Sequence, residues 1–172
     1  MNLLQKLKGG DLRSIGKSDE IVKQIGKDQK LFDEIFQGIF YPDSIIRMRS
    51  ADVAEKASKD YPLLLKKHKK RILNNLGNFE QQEVKWHIAL MVSYLKLTTI
   101  ESEKVFSELT KWATDDKSKI VRVNSMQALA VISMKNSNLK PKTIALIKKQ
   151  IETGIPSLLS RGKKLLKQLG GR

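Results

Sequence analysis

Cations that recur at nearly equal spacing are the first residues in this chain with evident chemistry. Arg47, Lys85 and Arg122 each stand second in a similar stretch, at intervals of 38 and 37 residues. Ammonium and guanidinium groups bind phosphates or carboxylates, and arginine presents a planar fork of donors. This basic ladder predicts either anion contacts along one ridge or a structural role within each repeated unit, and the structural role is favoured.

Positive charge is concentrated towards the C-terminus. The 172 residues include 33 basic and 18 acidic side chains, for a formal net charge of +15. Residues 1–116 hold 20 basic and 17 acidic residues, whereas residues 117–172 hold 13 basic residues and Glu152 as their single acid. Such an excess predicts an acidic partner, for example nucleic acid or an anionic membrane surface. The candidate anion or phosphate contacts are Lys148, Lys149, Arg161, Lys163, Lys164 and Lys167.

A third group of residues combines aromatic and apolar side chains. Trp86, Leu90 and Tyr94 recur every four residues and therefore share one helix face, which we call the aromatic stripe. It lies beside a more regular apolar stripe whose spacing predicts core: Val84, Ile88, Met91 and Leu95. The corresponding residues in two other stretches are more polar: Met48, Asp52 and Lys56, and Val123, Gln127 and Val131. The aromatic stripe is thus a candidate protein-binding face or base-stacking platform. The alternative is contact between adjacent helices.

Catalytic and metal-binding patterns are missing from the sequence. It has no cysteine, and its two histidines, His68 and His87, are too far apart to suggest a zinc site. No phosphate loop, nucleophile elbow or other catalytic motif stands in a convincing context. The closest carboxylate pairs, Glu80 with Glu83 and Asp115 with Asp116, stand at predicted helix starts, where acids cap free N–H groups. We therefore expect no enzyme, no metal and no cofactor.

The elements that must position these residues are helices. Apolar residues recur at helical spacing, as in the Val105, Leu109 and Trp112 series, and short Asp, Asn, Gly and Pro clusters separate the helical stretches. No stretch approaches the length of a membrane span and no signal peptide is evident, so we expect a cytoplasmic protein. The predicted helices cover residues 19–26, 29–40, 43–58, 62–76, 80–96, 100–114, 117–134, 141–153 and 155–169.

Helix pairs of this kind resemble a known repeat. Each unit consists of a helix, a short turn that contains Asp, and a second helix. The second helix begins with an apolar residue, then Arg or Lys, and three residues later Ala or a similar residue. This pattern resembles the HEAT repeat, most clearly in Pro42 to Ser58 and Asp116 to Ser133. Further stretches resemble small bacterial HEAT-repeat proteins without an assigned biochemical role: Arg13-Ser14-Ile15-Gly16, Glu83-Val84-Lys85-Trp86-His87 and Ile120-Val121-Arg122. The repeat here is slightly shorter than the ~40 to 47 residues of that family. Ser50 and Ser125 replace apolar core residues.

The resemblance implies an all-α, right-handed α-α superhelix of about four helix pairs behind an N-terminal capping helix. The expected organisation is a capping segment at 1–27, a repeat domain at 28–169 with units 28–58, 61–96, 99–134 and 139–169, and a flexible tail at 170–172. It also implies that the basic ladder pairs with Asp side chains in the turns, among them Asp43, Asp115 and Asp116.

Three functions follow in order of preference. A non-catalytic scaffold or adaptor would bind a protein partner on the concave face that second helices form in such folds. A nucleic-acid-binding protein would use the basic C-terminal third. A DNA glycosylase, by analogy with HEAT-like alkylpurine glycosylases, would need an acid close to an aromatic residue on that face. The sequence leaves the oligomeric state open.

Overall fold

The computed structural model describes residues 2–170, and it is helical throughout. Helices account for 79% of these residues, and no strand occurs among them. The all-α prediction is therefore confirmed. Two compact units divide the chain between Leu95 and Lys96. Met1 of the predicted capping segment and residues 171–172 of the predicted tail lie outside the described residues.

The first unit is built around α4, which packs against α2, α3 and α6. The short helix α1 packs on α3 through Leu3, whose side chain is fully buried. The α-helices of this unit are α1 (Leu3–Lys6), α2 (Ser18–Ile25), α3 (Gln29–Gly38), α4 (Ser44–Asp60), α5 (Lys69–Asn75) and α6 (Gln82–Tyr94).

The second unit consists of two helix pairs. α7 packs along α8, α9 packs along α10, and α8 also contacts both α9 and α10. Val105, Leu109 and Trp112 are buried in α7, as the spacing predicts. The helices are α7 (Thr99–Asp115), α8 (Lys119–Lys135), α9 (Lys140–Glu152) and α10 (Pro156–Leu169).

Several helices begin at the polar turn residues that punctuate the sequence. The carboxylates of Asp28 and Asp43 accept hydrogen bonds from the first N–H groups of α3 and α4. Thr98 and Glu101 form a reciprocal capping box at α7. Asp116 accepts from the Ser118 N–H just before α8, whereas Asp115 ends α7 rather than starting a helix.

The predicted helix at residues 62–76 is only partly α-helical. Pro62–His68 and Leu76–Asn78 are 3₁₀ helices on either side of α5. In the first, the Leu64 carbonyl accepts from the Gln29 side chain at 3.1 Å, while Leu64, Leu65 and His68 are all buried. This tertiary contact and the burial of neighbouring positions favour the tighter 3₁₀ winding, which periodicity alone does not reveal.

One close approach depends on the absence of a side chain. A Cβ on Gly38 would lie 2.1 Å from Ser50 Oγ and 2.6 Å from Leu4 Cδ2, so glycine lets α3 approach α4 and α1. Gly162 similarly faces Ile151, whose Cγ1 would lie 2.6 Å from an added Cβ.

Within residues 2–170, no helix combines the length and apolar character that a membrane crossing requires.

Candidate functional site

The aromatic stripe of α6 lies at the border between core and solvent. Trp86, Leu90 and Tyr94 are all half-buried. The neighbouring apolar stripe is core, as predicted, because Val84, Ile88, Met91 and Leu95 are each at most 4% exposed. A helix with one buried stripe and one half-open stripe presents a defined apolar surface beside its core contacts.

Glu55 of α4 holds Tyr94 in place. The Tyr94 hydroxyl donates a hydrogen bond of 2.5 Å to Glu55 Oε1, and Glu55 is only 8% exposed. Burial raises the pKa of the Glu55 carboxyl above its ordinary value, although the Tyr94 hydroxyl acts in the opposite direction. Burial, followed by the hydrogen bond to Glu55, also raises the pKa of Tyr94. The ring is therefore a fixed, neutral hydrogen-bond donor.

His87 lies between two carboxylates. Its Nε2 is 3.8 Å from Asp52 Oδ1 and its Nδ1 is 3.9 Å from Glu55 Oε2, and the Trp86 ring meets the imidazole edge-on at 5.8 Å between ring centroids. Nδ1 is buried without a hydrogen-bond partner in the described chain. Burial lowers the pKa of His87 to about 4, despite the nearby Asp52. His87 is thus neutral at physiological pH.

Lys56 neutralises Asp52 from one helical turn farther along the same face of α4. Its Nζ lies 3.0 Å from Asp52 and 2.8 Å from Asp19 of α2. Burial acts to lower the pKa of Lys56, but the hydrogen bonds to Asp19 and Asp52 outweigh it and the pKa stands above its ordinary value. We call Asp52, Glu55, Lys56 and His87 the polar cluster. It joins α2, α4 and α6.

Most polar groups beside the aromatic stripe are directed at one another. No group of three His, Asp or Glu side chains is arranged to hold a metal ion in the part of the chain that the structure describes. Glu55 and Tyr94 already form a hydrogen bond with each other. His87 is neutral at physiological pH, because its pKa is about 4. Comparisons with protein-family models, curated proteins and solved structures gave no match for this chain.

The two arginines of the basic ladder, Arg47 and Arg122, make internal contacts, but with other partners than the resemblance implies. Arg47 donates to the carbonyls of Tyr41 and Pro42 and to the Gln81 side chain. Asp43, its expected partner, instead caps the N–H groups of α4.

Arg122 bonds in the same manner. It donates to the Ala113 carbonyl at 3.2 Å and to the Gln150 amide oxygen at 2.5 Å, and it forms no ion pair with any residue in 2–170. A short Asp turn offers carbonyls as well as a carboxylate, and the fork geometry of arginine suits them. Lys85 is half-buried on α6.

The six candidate anion contacts are exposed but do not form one cluster. Lys148 and Lys149 lie on α9, roughly 100° and 160° around the helix from the buried Ile147. Arg161, Lys163, Lys164 and Lys167 lie on α10, where Arg161 donates to Gln127 of α8 at 2.8 Å. Lys164 is within roughly 60° of Arg161, whereas Lys163 and Lys167 are turned farther away.

Two buried polar arrangements are absent from the sequence-based predictions. Arg49, 3% exposed, donates to the carbonyls of Leu7, Gly9 and Ser14 and so fastens the segment between α1 and α2 to α4. An arginine inside the apolar run of α4 is the one local sign of this role.

The second arrangement joins α3 to the following 3₁₀ helix. His68 is buried, stacks on Phe36, and bonds Asp33 at 2.6 Å. Burial lowers the pKa of His68, against the opposing effect of Asp33. Because Asp33 and His68 are separated by 35 residues, no local pattern predicts the pair.

Proposed function

We propose that this chain is a non-catalytic scaffold or adaptor that binds a protein partner through the aromatic stripe. The proposal includes a HEAT-like, right-handed superhelical stacking of the helix pairs. It is supported by the packing of α3 on α4, α7 on α8 and α9 on α10, together with the contact of second helices α4 with α6 and α8 with α10. The single observation that carries the function is that Trp86, Leu90 and Tyr94 are only half-buried while the adjacent stripe is buried.

The fixed position of Tyr94 supports a recognition role. Glu55 fixes the Tyr94 hydroxyl, so the ring needs little further ordering when a partner binds. Large aromatic side chains in fixed positions supply much of the binding energy at protein interfaces. Leu90 between the two aromatic residues makes the surface continuous.

A glycosylase is the weaker reading of the same face. The required acid and aromatic residue do lie together, since Glu55 contacts Tyr94. However, Glu55 is 8% exposed, with one oxygen occupied by the tyrosine, and a base-excision step needs a carboxylate open to substrate or to an attacking water. We expect no base release from alkylated DNA.

The test is quantitative affinity capture with matched variants. The Trp86→Ala variant should capture less of the partner than wild-type protein does. The control is Leu63→Ala, which removes an apolar side chain of the same unit that is 73% exposed, and it should capture as much partner as the wild type. Urea unfolding of each variant verifies that the fold persists. Equal capture by wild type and a folded Trp86→Ala variant would reject the aromatic stripe as the binding face.

Nucleic-acid binding is the second candidate. It is favoured by the exposure of all six candidate cations, none of which forms an ion pair with another residue in 2–170. Phosphate contacts release counterions, so affinity should fall steeply as salt rises.

Fluorescence anisotropy with duplex DNA, single-stranded DNA and RNA measures this dependence. Substituting Lys163→Gln and Lys167→Gln should reduce the logarithmic salt slope by about one for each phosphate contact removed. The same charge loss in the first unit, Lys66→Gln with Lys70→Gln, is the matched control. Absence of binding to all three probes at low salt would eliminate this candidate.

A further inference from the structure

A row of mostly apolar side chains on α8 is exposed at both ends and half-buried between them. Ile120 is 52% exposed and Met134 is 54% exposed, although both belong to the same long helix as the buried Val121 and Leu129. Three half-buried residues fill the gap between them: Val123, Gln127 and Val131. We call these five residues the α8 row.

The spacing makes the α8 row one continuous face. Its members follow one another at steps of three, four, four and three residues, which keeps them within roughly 80° of helix circumference. From Ile120 to Met134 the row extends for about 21 Å. That length matches about four turns of a second helix laid alongside. Four of the five side chains are apolar, so the row differs from the charged outer face of an ordinary surface helix.

Cations border the α8 row on the side of α10. Arg161 reaches Gln127, the central residue of the row, at 2.8 Å, and its partner there is a neutral amide. Lys164 follows on the same side of α10, one helical turn farther along, and it is exposed. Lys119 is exposed at the start of α8. Residues 117–172 contain one acid, Glu152, so their positive charge is largely uncompensated from within.

We propose that the α8 row binds an amphipathic helix of a protein partner, with the apolar side of that helix on the row and acidic residues towards Arg161 and Lys164. An apolar row of this length can contact the apolar side chains at positions i, i+3 or i+4, and i+7 of a docked helix. The adjacent cations select acidic flanks and orient the encounter. The α8 row belongs to the second unit and shares no residue with the aromatic stripe of the first unit. Variants of the row therefore test this proposal while Trp86, Leu90 and Tyr94 stay unchanged.

Other occupants fit the observations less well. A phosphate backbone would satisfy Arg161 and Lys164 but would leave Ile120 and Met134 without apolar contacts. A second copy of this chain, which carries a net charge of +15, would bring further positive charge to a surface that is already basic. The length of the apolar α8 row and the cations beside it therefore point to an acidic amphipathic helix.

The test uses a synthetic helical peptide of about 18 residues with leucine at i, i+3, i+7 and i+11 and glutamate at the flanking positions. Binding to the full chain is followed by fluorescence anisotropy and by shifts of the Ile120 and Met134 methyl resonances. The peptide should bind and move both resonances. A version with lysine for glutamate, or with glutamine for leucine, should not bind.

Variants of exposed side chains locate the site without threatening the core. Ile120→Ser combined with Met134→Ser should weaken binding by at least about tenfold, and Arg161→Glu should do so by a comparable factor. Ile100→Ser, at a side chain of the same unit that is 80% exposed, is the matched control and should change affinity by less than about twofold.

Several outcomes would overturn the proposal. One is undiminished binding of the acidic peptide to the Ile120→Ser/Met134→Ser variant, and another is no binding at all. Methyl shifts caused by DNA but not by the peptide would assign the row to nucleic acid. Self-association of the wild type that the double serine variant abolishes, without peptide binding, would assign it to a second copy.

Discussion

Replacing Tyr94 with phenylalanine removes one hydrogen bond to a buried carboxylate and leaves the ring in place. The hydroxyl donates to Glu55 Oε1 at 2.5 Å, and Glu55 is 8% exposed. Hydrogen bonds to charged groups contribute about 1.5–3 kcal/mol. Because Tyr94 itself is half-buried and water can partly replace it, we expect the free energy of unfolding to fall by about 1–2 kcal/mol at neutral pH.

The loss of stability caused by Tyr94→Phe should depend on pH, because Glu55 titrates. Burial raises the pKa of Glu55 above 4.5, so the folded protein keeps this proton to a higher pH than the unfolded chain does. Stability therefore decreases as pH rises from 4.5 through the raised pKa, and it is regained on acidification. The Tyr94 hydroxyl favours the charged carboxylate, so its removal raises the pKa of Glu55 further. The destabilisation by Tyr94→Phe should be largest where Glu55 is charged and smaller where it is protonated.

Urea unfolding at neutral pH and near the unfolded-chain pKa measures both effects. Tyr61→Phe is the matched control, because the Tyr61 hydroxyl has no hydrogen-bond partner among residues 2–170 while its ring is similarly half-buried. Glu55→Gln should make the cost of Tyr94→Phe independent of pH. Equal destabilisation by the two tyrosine variants, or a cost of Tyr94→Phe that is constant with pH in the presence of Glu55, would refute the reasoning.

Three other predictions concern stability. Gly38→Ala should lower the free energy of unfolding by about 1–3 kcal/mol and by more than Gly162→Ala. An added Cβ on Gly38 would meet Ser50 Oγ at 2.1 Å and Leu4 Cδ2 at 2.6 Å, whereas one on Gly162 would come no closer than 2.6 Å to Ile151. Paired urea titrations compare the two variants. Arg49→Met should accelerate amide hydrogen exchange in residues 7–16 well before α6 is affected, and uniform exchange throughout the unit would contradict a local fastening role. The pKa of His87 is about 4 in the folded protein and 6.5 in the unfolded chain, so the unfolded chain takes up the proton first. His87 should therefore lower the free energy of unfolding by roughly 3 kcal/mol as pH falls from 6.5 to 4. His87→Gln should remove that part of the acid sensitivity in urea titrations, and an unchanged pH dependence would show that His87 is not its source.

Local sequence patterns account for most of the fold that can be predicted. Helical spacing located α6 through Val84, Ile88 and Met91, and Asp43 at a turn marked the start of α4. Both are properties of a few consecutive residues. The 3₁₀ winding at Pro62–His68 is not predicted, because apolar spacing over so few residues does not distinguish a 3₁₀ helix from an α-helix.

The candidate site was only partly predictable for the same reason. The spacing of Trp86 and Tyr94 placed them on one face, and the structure leaves both half-buried. No local pattern singles out Glu55, since its significance comes from the packing of α4 against α6. The carbonyl partners of Arg47 also differ from the predicted Asp, because side-chain direction within a turn decides among nearby acceptors.

The amino-acid sequence is sufficient to predict the helical class, the repeated spacing of cations and the excess of positive charge after residue 116. These depend on composition and on periodicity along one helix. Tertiary structure decided which polar groups share a buried space, as Glu55 does with Tyr94, and which cations border an apolar surface, as Arg161 does beside Gln127. Such pairings depend on how two helices are rotated and aligned against each other, and this is set by the fit of many side chains from distant parts of the chain.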